Sequence, residues 1–168
     1  MTHKVETFLR PDHSDRVILA CLQEDAWAPL AAIATKVHLS EATVHHRIAK
    51  LSERGFIRRF TAVLNDAKVG CDIQAFVEVF VEPTRHEKTF IAAMGGEPEV
   101  LEVHHITGEF SLLLKVKTKN RDTLQRLLLE RISSREGVRR TRTVMVLSTP
   151  KEETALPLAM LNGNEETR

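Results

Sequence analysis

From Asp12 to about Arg59 the apolar positions recur at helical spacing. Ile18 and Leu22 lie four apart with Leu19 beside them, which predicts one buried stripe on a first helix. Asp12 is placed to cap that helix, and Asp15 sits where the helix dipole is positive. Pro29 suits the opening turn of a second, short helix whose inner face is Leu30, Ile33, Ala34 and Val37. A third helix is predicted from a Ser40 cap to about Arg54, with Gly55 as its stop and Val44, Ile48 and Leu51 as its apolar seam. After Gly55 the period changes. Phe56 to Leu64 predicts a short β-ribbon, or wing, displaying Arg58 and Arg59, and Asn65 to Gly70 is a turn-rich connection.

The remainder alternates. Ile73, Ala75, Val77, Val79 and Val81 interleave with Gln74, Phe76, Glu78, Phe80 and Glu82, which is strand period, and Pro83 ends the run. Phe90, Ile91 and Met94 form a helical stripe closed by Gly95-Gly96. Val100 to Ile106 and Leu112 to Val116 predict a hairpin turning at Gly108-Glu109. Leu124, Leu127, Leu128 and Ile132 mark another helix, Gly137 closes it, and Val138 to Leu147 is a last strand. The order β-α-β-β-α-β is the ferredoxin-like arrangement, so the fold class is α+β. The expected organisation is a helical domain over 1–60, a linker or hinge over 61–70, a ferredoxin-like domain over 71–150 and a loose polar tail over 151–168. Both helices should cover the Ile/Ala/Val face of the first strand, leaving Phe76 and Phe80 on the opposite face. Aromatics on an open sheet face call for a homodimer partner, or else for cover by loops or the tail.

Composition narrows the class. Of 168 residues, 42% are hydrophobic, enough to bury a core and to exclude disorder throughout. No apolar run reaches the ~18 residues that span a bilayer. Met1 to Arg10 mixes charges and lacks the apolar region of a secretory signal. Cys21 and Cys71 have no paired spacing, which suits a reducing cytoplasm. Net charge is only +1, but Arg47, Lys50, Arg54, Arg58 and Arg59 face a single acid, Glu53, between Thr43 and Arg59. That window carries +4 and leaves −3 for everything else, an acidic remainder expected to pack against copies of itself.

A tight turn between two helices, with the second basic on its free face, predicts a helix-turn-helix that places an α-helix in the major groove of double-stranded DNA. Ser40, Thr43, His45 and His46 are the candidate base-edge contacts, and Arg47, Lys50, Arg58 and Arg59 the candidate phosphate contacts. A three-helix bundle with a solvated basic face is the plain alternative. The eight histidines include the His45-His46 and His104-His105 pairs, neither of which has the i, i+4 helical spacing or neighbouring Cys of a zinc site. No metal, cofactor or catalytic residue is expected.

Asp12-x-x-Asp15-x-x-Ile18-Leu19, Leu30-x-x-Ile33-Ala34, Leu39-Ser40-x-x-Thr43-Val44-x-x-Arg47-Ile48-x-x-Leu51 and Gly55-Phe56-Ile57 follow one another in an order that resembles the Lrp/AsnC (feast/famine) transcriptional regulators. The likeness continues through Phe76-Val77, Thr107-Gly108, Thr141-Arg142-Thr143 and Ala155-Leu156-Pro157. The resemblance implies a winged helix-turn-helix joined to a ferredoxin-like regulatory (RAM) domain that dimerises through its sheet face, with Phe76 and Phe80 at that interface. It also implies assembly towards octamers, and a small effector, usually an amino acid, held between dimers at the loop Thr107-Gly108-Glu109-Phe110-Ser111, with His104 lining the same cleft. Three positions depart from the pattern. Ser111 stands where many relatives have Asp, so Glu109 supplies the charge, the effector differs or the response is lost. His38 stands where Gly is usual in the helix-turn-helix turn, which predicts backbone strain or an altered turn. Trp27 replaces a common polar residue and is expected to pack between helices. Two other functions compete: an architectural protein that wraps DNA without a ligand, and a sirohaem decarboxylase on a related scaffold. The latter lacks support, because Ile106-Thr107-Gly108 follows the His104-His105 pair in place of an aromatic and basic cluster.

Overall fold

In the computed structural model, which describes residues 10–158, the chain divides into two compact units. Residues 10–62 with 152–158 form the first and 63–151 the second. The first is helical: α1 (His13–Glu24), α2 (Leu30–Val37) and α3 (Glu41–Glu53). Asp12 and Asp15 close α1 as a reciprocal capping box, the Asp15 amide donating to Asp12 Oδ1 at 2.8 Å. Pro29 occupies the cap position of α2 rather than its first turn. Ser40 caps α3 by accepting from the Thr43 amide at 3.2 Å. Ile18, Ile33, Val44 and Leu51 meet in the core with almost no surface left to water.

The second unit is one antiparallel sheet with helices on one face. Its elements are β1 (Ile73–Val81), α4 (Glu87–Met94), β2 (Val100–His105), β3 (Leu112–Thr118), α5 (Arg121–Arg126) and β4 (Val138–Met145), and the strand order is β2-β3-β1-β4. Alternation on β1 and β3 sends Ala75, Val77, Val79, Leu112, Leu114 and Val116 into a core shared with Phe90, Met94 and Ile132. Beyond α5 the helix widens into a π turn over Leu127–Ile132, where the Ser133 amide reaches back five residues to the Leu128 carbonyl. No helix among the described residues is long and apolar enough to cross a membrane.

Four expectations need correction. No strand forms over residues 56–64, so the helix-turn-helix carries no β-wing among the described residues. A ribbon needs a ladder partner, and none of the described strands supplies one. Phe56 and Ile57 are instead half-buried against the helical core. The tail as far as Leu158 is not loose: the Gln23 side chain accepts from the Leu156 amide at 2.7 Å and donates to its carbonyl at 3.1 Å. Leu158 packs on the helical core, while the part of the expected tail from 159 onwards lies outside the described residues. Trp27 is 93% exposed in the α1–α2 turn rather than packed. Finally, residues 63–151 hold 14 basic and 12 acidic side chains, so the acidic excess lies outside the sheet unit.

His38 ends α2 in the left-handed region at φ 55°, the one non-glycine residue described with positive φ. Its amide donates to Ala34 and Thr35 carbonyls, so the turn is kept and the strain is borne by the backbone.

Candidate nucleic-acid interface and effector loop

The Ser40 cap and the apolar seam on Val44 and Leu51 fix which side of α3 faces outward. Thr43, His45, His46 and Lys50 are exposed there, and Arg58 and Arg59 are exposed on the irregular segment that follows. The Ser40 and Thr43 hydroxyls lie 2.8 Å apart, so Ser40 is partly spent on holding the helix start. Beside α3 a cleft of about 410 Å³ is lined by Arg10, Thr43, His46, Lys50 and Arg54. Its wall also contains an ion-pair cluster that sequence reading missed. Arg47 Nη1 donates to Asp12 Oδ2 and to Asp15 Oδ1, both at 2.7 Å. Its two acids lie 35 and 32 residues away, beyond the reach of any local spacing rule. Burial works against ionisation of Asp12, but the Asp15 amide and the Arg47 guanidinium hold its carboxyl below the usual value. The hydrogen bonds that Arg47 donates, to Asp12 first and then to Asp15, raise the guanidinium further.

In the second unit the hairpin between β2 and β3 carries the expected effector loop. Thr107, Gly108 and Glu109 are exposed, and Gly108 adopts φ 121°, which only glycine takes readily. Phe110 is buried beneath two guanidiniums, Arg140 at 4.7 Å and Arg142 at 5.3 Å from its ring centre. Glu109 pairs with Arg140 at 2.8 Å. The Ser111 hydroxyl donates to the Val79 carbonyl at 3.4 Å, and the Ser111 amide reaches the same carbonyl at 3.2 Å. Ser111 therefore belongs to the seam between loop and sheet. His104 Nε2 lies 2.8 Å from Glu102, whose other carboxylate oxygen accepts from Lys115 at 3.2 Å. Those partners, His104 foremost, hold the Glu102 carboxyl below its usual range. Arg140 and Arg142 are the loop neighbours that sequence reading left out. Their signal was the two-residue spacing on β4, which puts both on one face.

Phe76 and Phe80 lie half-buried on the sheet face opposite the core. Phe76 is flanked by Lys115 and Val144, and Phe80 lies opposite Arg140. Between the two phenylalanines Glu78 takes a two-pronged ion pair from Arg142, which holds the Glu78 carboxyl low. Among the described residues no group of three His, Cys, Asp or Glu side chains is placed to hold a metal ion.

A capped, outward-facing helix following a tight turn, in a chain whose other unit is a ferredoxin-like sheet with an open face, is the layout of a helix-turn-helix protein with a second, sheet-based domain. Residues 12–52 match the AsnC-type helix-turn-helix domain and residues 74–156 the Lrp/AsnC ligand binding domain. The chain is 37% identical to the HTH-type transcriptional regulator FL11 of Pyrococcus horikoshii, the match covering 88% of this chain and 96% of that one. It is also 37% identical to the proline dehydrogenase transcriptional activator of Rhizobium radiobacter, over 90% and 96% of the two chains. Among solved structures, a transcriptional regulator from Neisseria meningitidis in complex with L-Met matches with a TM-score of 0.84 and 29% identity, covering 89% of this chain and 98% of that one. AsnC of E. coli matches with a TM-score of 0.80 and 27% identity, over 86% and 97%. The chain belongs to the Lrp/AsnC family of transcriptional regulators, which are not enzymes.

Proposed function

We propose that this regulator binds specific double-stranded DNA sequences as a cytoplasmic homodimer or higher assembly, under the control of an amino acid or a closely related metabolite. The observation that carries the DNA half is the exposed polar face of α3, held in place by its cap and its apolar seam. Thr43, His45, His46 and the free hydroxyl valence of Ser40 read base edges, and Lys50, Arg58 and Arg59 take phosphates. The open sheet face with Phe76, Phe80 and Val144 supports dimerisation, and paired readers on a twofold axis select a near-palindromic site. Dimers then assemble towards an octamer.

The loop Thr107-Gly108-Glu109-Phe110-Ser111, with His104 on the adjoining strand, is the effector site. Glu109 supplies the negative charge that Ser111 cannot. It is paired with Arg140 at an exposed position, so a zwitterion can exchange into that pair, ammonium to Glu109 and carboxylate to Arg140, at little cost.

Two measurements test the reading. In mobility shifts with a duplex enriched from a randomised pool, Lys50→Ala weakens binding and lowers the salt slope by about one. Unchanged binding removes α3 from the interface. In a thermal-shift screen of the twenty amino acids, an effector raises the melting temperature by mass action. Silence across the set favours the ligand-independent architectural role.

A further inference from the structure

We infer that Arg47 serves DNA binding as a positioning residue: it ties α3 to the capping carboxylates of α1 and makes no phosphate contact. The starting point is how the four carboxylate oxygens are shared. Asp12 gives Oδ1 to the Asp15 amide and Oδ2 to Arg47, while Asp15 gives Oδ2 to the Asp12 amide at 3.4 Å and Oδ1 to Arg47. The capping box and the ion pair thus use different oxygens of the same two acids. Neither arrangement competes with the other, and one nitrogen of Arg47 closes both.

Charge points the same way. Arg47 with Asp12 and Asp15 sums to −1, so a phosphate brought to that guanidinium also meets two carboxylates. Lys50, by contrast, is exposed on the same wall of the cleft. Burial agrees: the Arg47 side chain is 29% exposed and that of Asp15 11%. The buried seam of Val44 and Leu51 fixes which side of α3 faces outward, and the Arg47 contacts add a directional polar constraint at the edge of that face. Arg47 lies four residues after Thr43 and one after His46, so a directional tether there sets where both side chains point.

Asp12→Asn separates this role from direct electrostatics by sign. Asparagine caps a helix as well as aspartate does, and Asp12 is half-exposed, so the fold tolerates the change. Loss of an acid beside the cleft tightens DNA binding if charge alone matters. The positioning role predicts the opposite, a loss of about tenfold. Arg47→Gln should lose affinity by a similar factor with the slope of log affinity against log salt unchanged, whereas Lys50→Ala lowers that slope by ~0.9. Both variants are measured on the full chain, against the duplex enriched by the wild-type protein, after circular dichroism confirms a wild-type helix content. Tighter binding by Asp12→Asn, wild-type affinity in both variants, or a slope for Arg47→Gln that falls as it does for Lys50→Ala overturns the inference.

Discussion

The two units hold their working surfaces by opposite means. In the helical unit the reading face depends on directional polar contacts between separate helices: the Ser40 cap, the αL turn at His38 and the Arg47 tether. Only a small apolar core lies beneath them. In the sheet unit the β2–β3 hairpin loop hangs from two paired strands, with the Ser111 amide and the Ile106 amide continuing the ladder up to the loop itself. A larger core made by strict alternation supports it. Helix orientation in the first unit thus rests on a small core together with directional polar contacts, and loop conformation in the second is stiffened from below.

The sharpest way to break the comparison is in the sheet unit. A Cβ on Gly137 would sit 2.6 Å from His86 Cβ and 3.2 Å from Val81 Cγ1, at a backbone φ of +86°. Both neighbours are close to the backbone and cannot swing aside, so Gly137→Ala should cost about 3 kcal/mol from overpacking together with strain. Urea unfolding followed by hydrogen exchange should show the loss in β1 and β4 and leave α1–α3 near wild type. Equal loss in both units would show that they do not hold their structures separately.

A smaller effect, of opposite sign, tests the helical unit. His38 is exposed and sits in the left-handed region, so His38→Gly should raise the stability of that unit by roughly 1 kcal/mol through relief of the αL backbone. A drop in melting temperature would mean that the imidazole contributes more than the turn costs.

Smaller still is the acid response. The Asp12 carboxyl titrates below its ordinary value of 3.8 in the folded chain, so its contribution is complete above that value and disappears as pH falls through the folded one. Because Asp12 is half-exposed, solvent screens the effect. Helix stability in α1 should decline below about pH 4, and Asp12→Asn should flatten that decline. An unchanged acid limb in the variant would assign the loss to other carboxylates.

Much of this architecture was legible before any coordinates. Asp12 with Asp15, and Ser40 ahead of Thr43, announced their helices because capping is a three-residue affair. The alternation on β1 and β3 fixed which residues face the core for the same local reason. What escaped was non-local. The wing was read from residues able to extend, yet a strand exists only where another lies beside it. Arg47 looked like a surface cation because its acids lie more than thirty residues upstream. Trp27 was expected to pack between helices, but the turn that carries it leaves it in water. The β2–β3 hairpin was placed correctly in sequence, while the two arginines beside it come from a strand that pairs with β1 only after folding.

The Gln23 clasp on Leu156, with Leu158 against the helical core, makes the reader a discontinuous domain. Residues 10–62 leave the ribosome first, but the piece that completes them follows only after the whole of 63–151 has been made. During synthesis the helices wait with part of their apolar surface uncovered, and the sheet unit has its full sequence before the reader does. A chain interrupted after β4 would thus keep every described strand of the sheet unit and still lack the segment that completes the helical one.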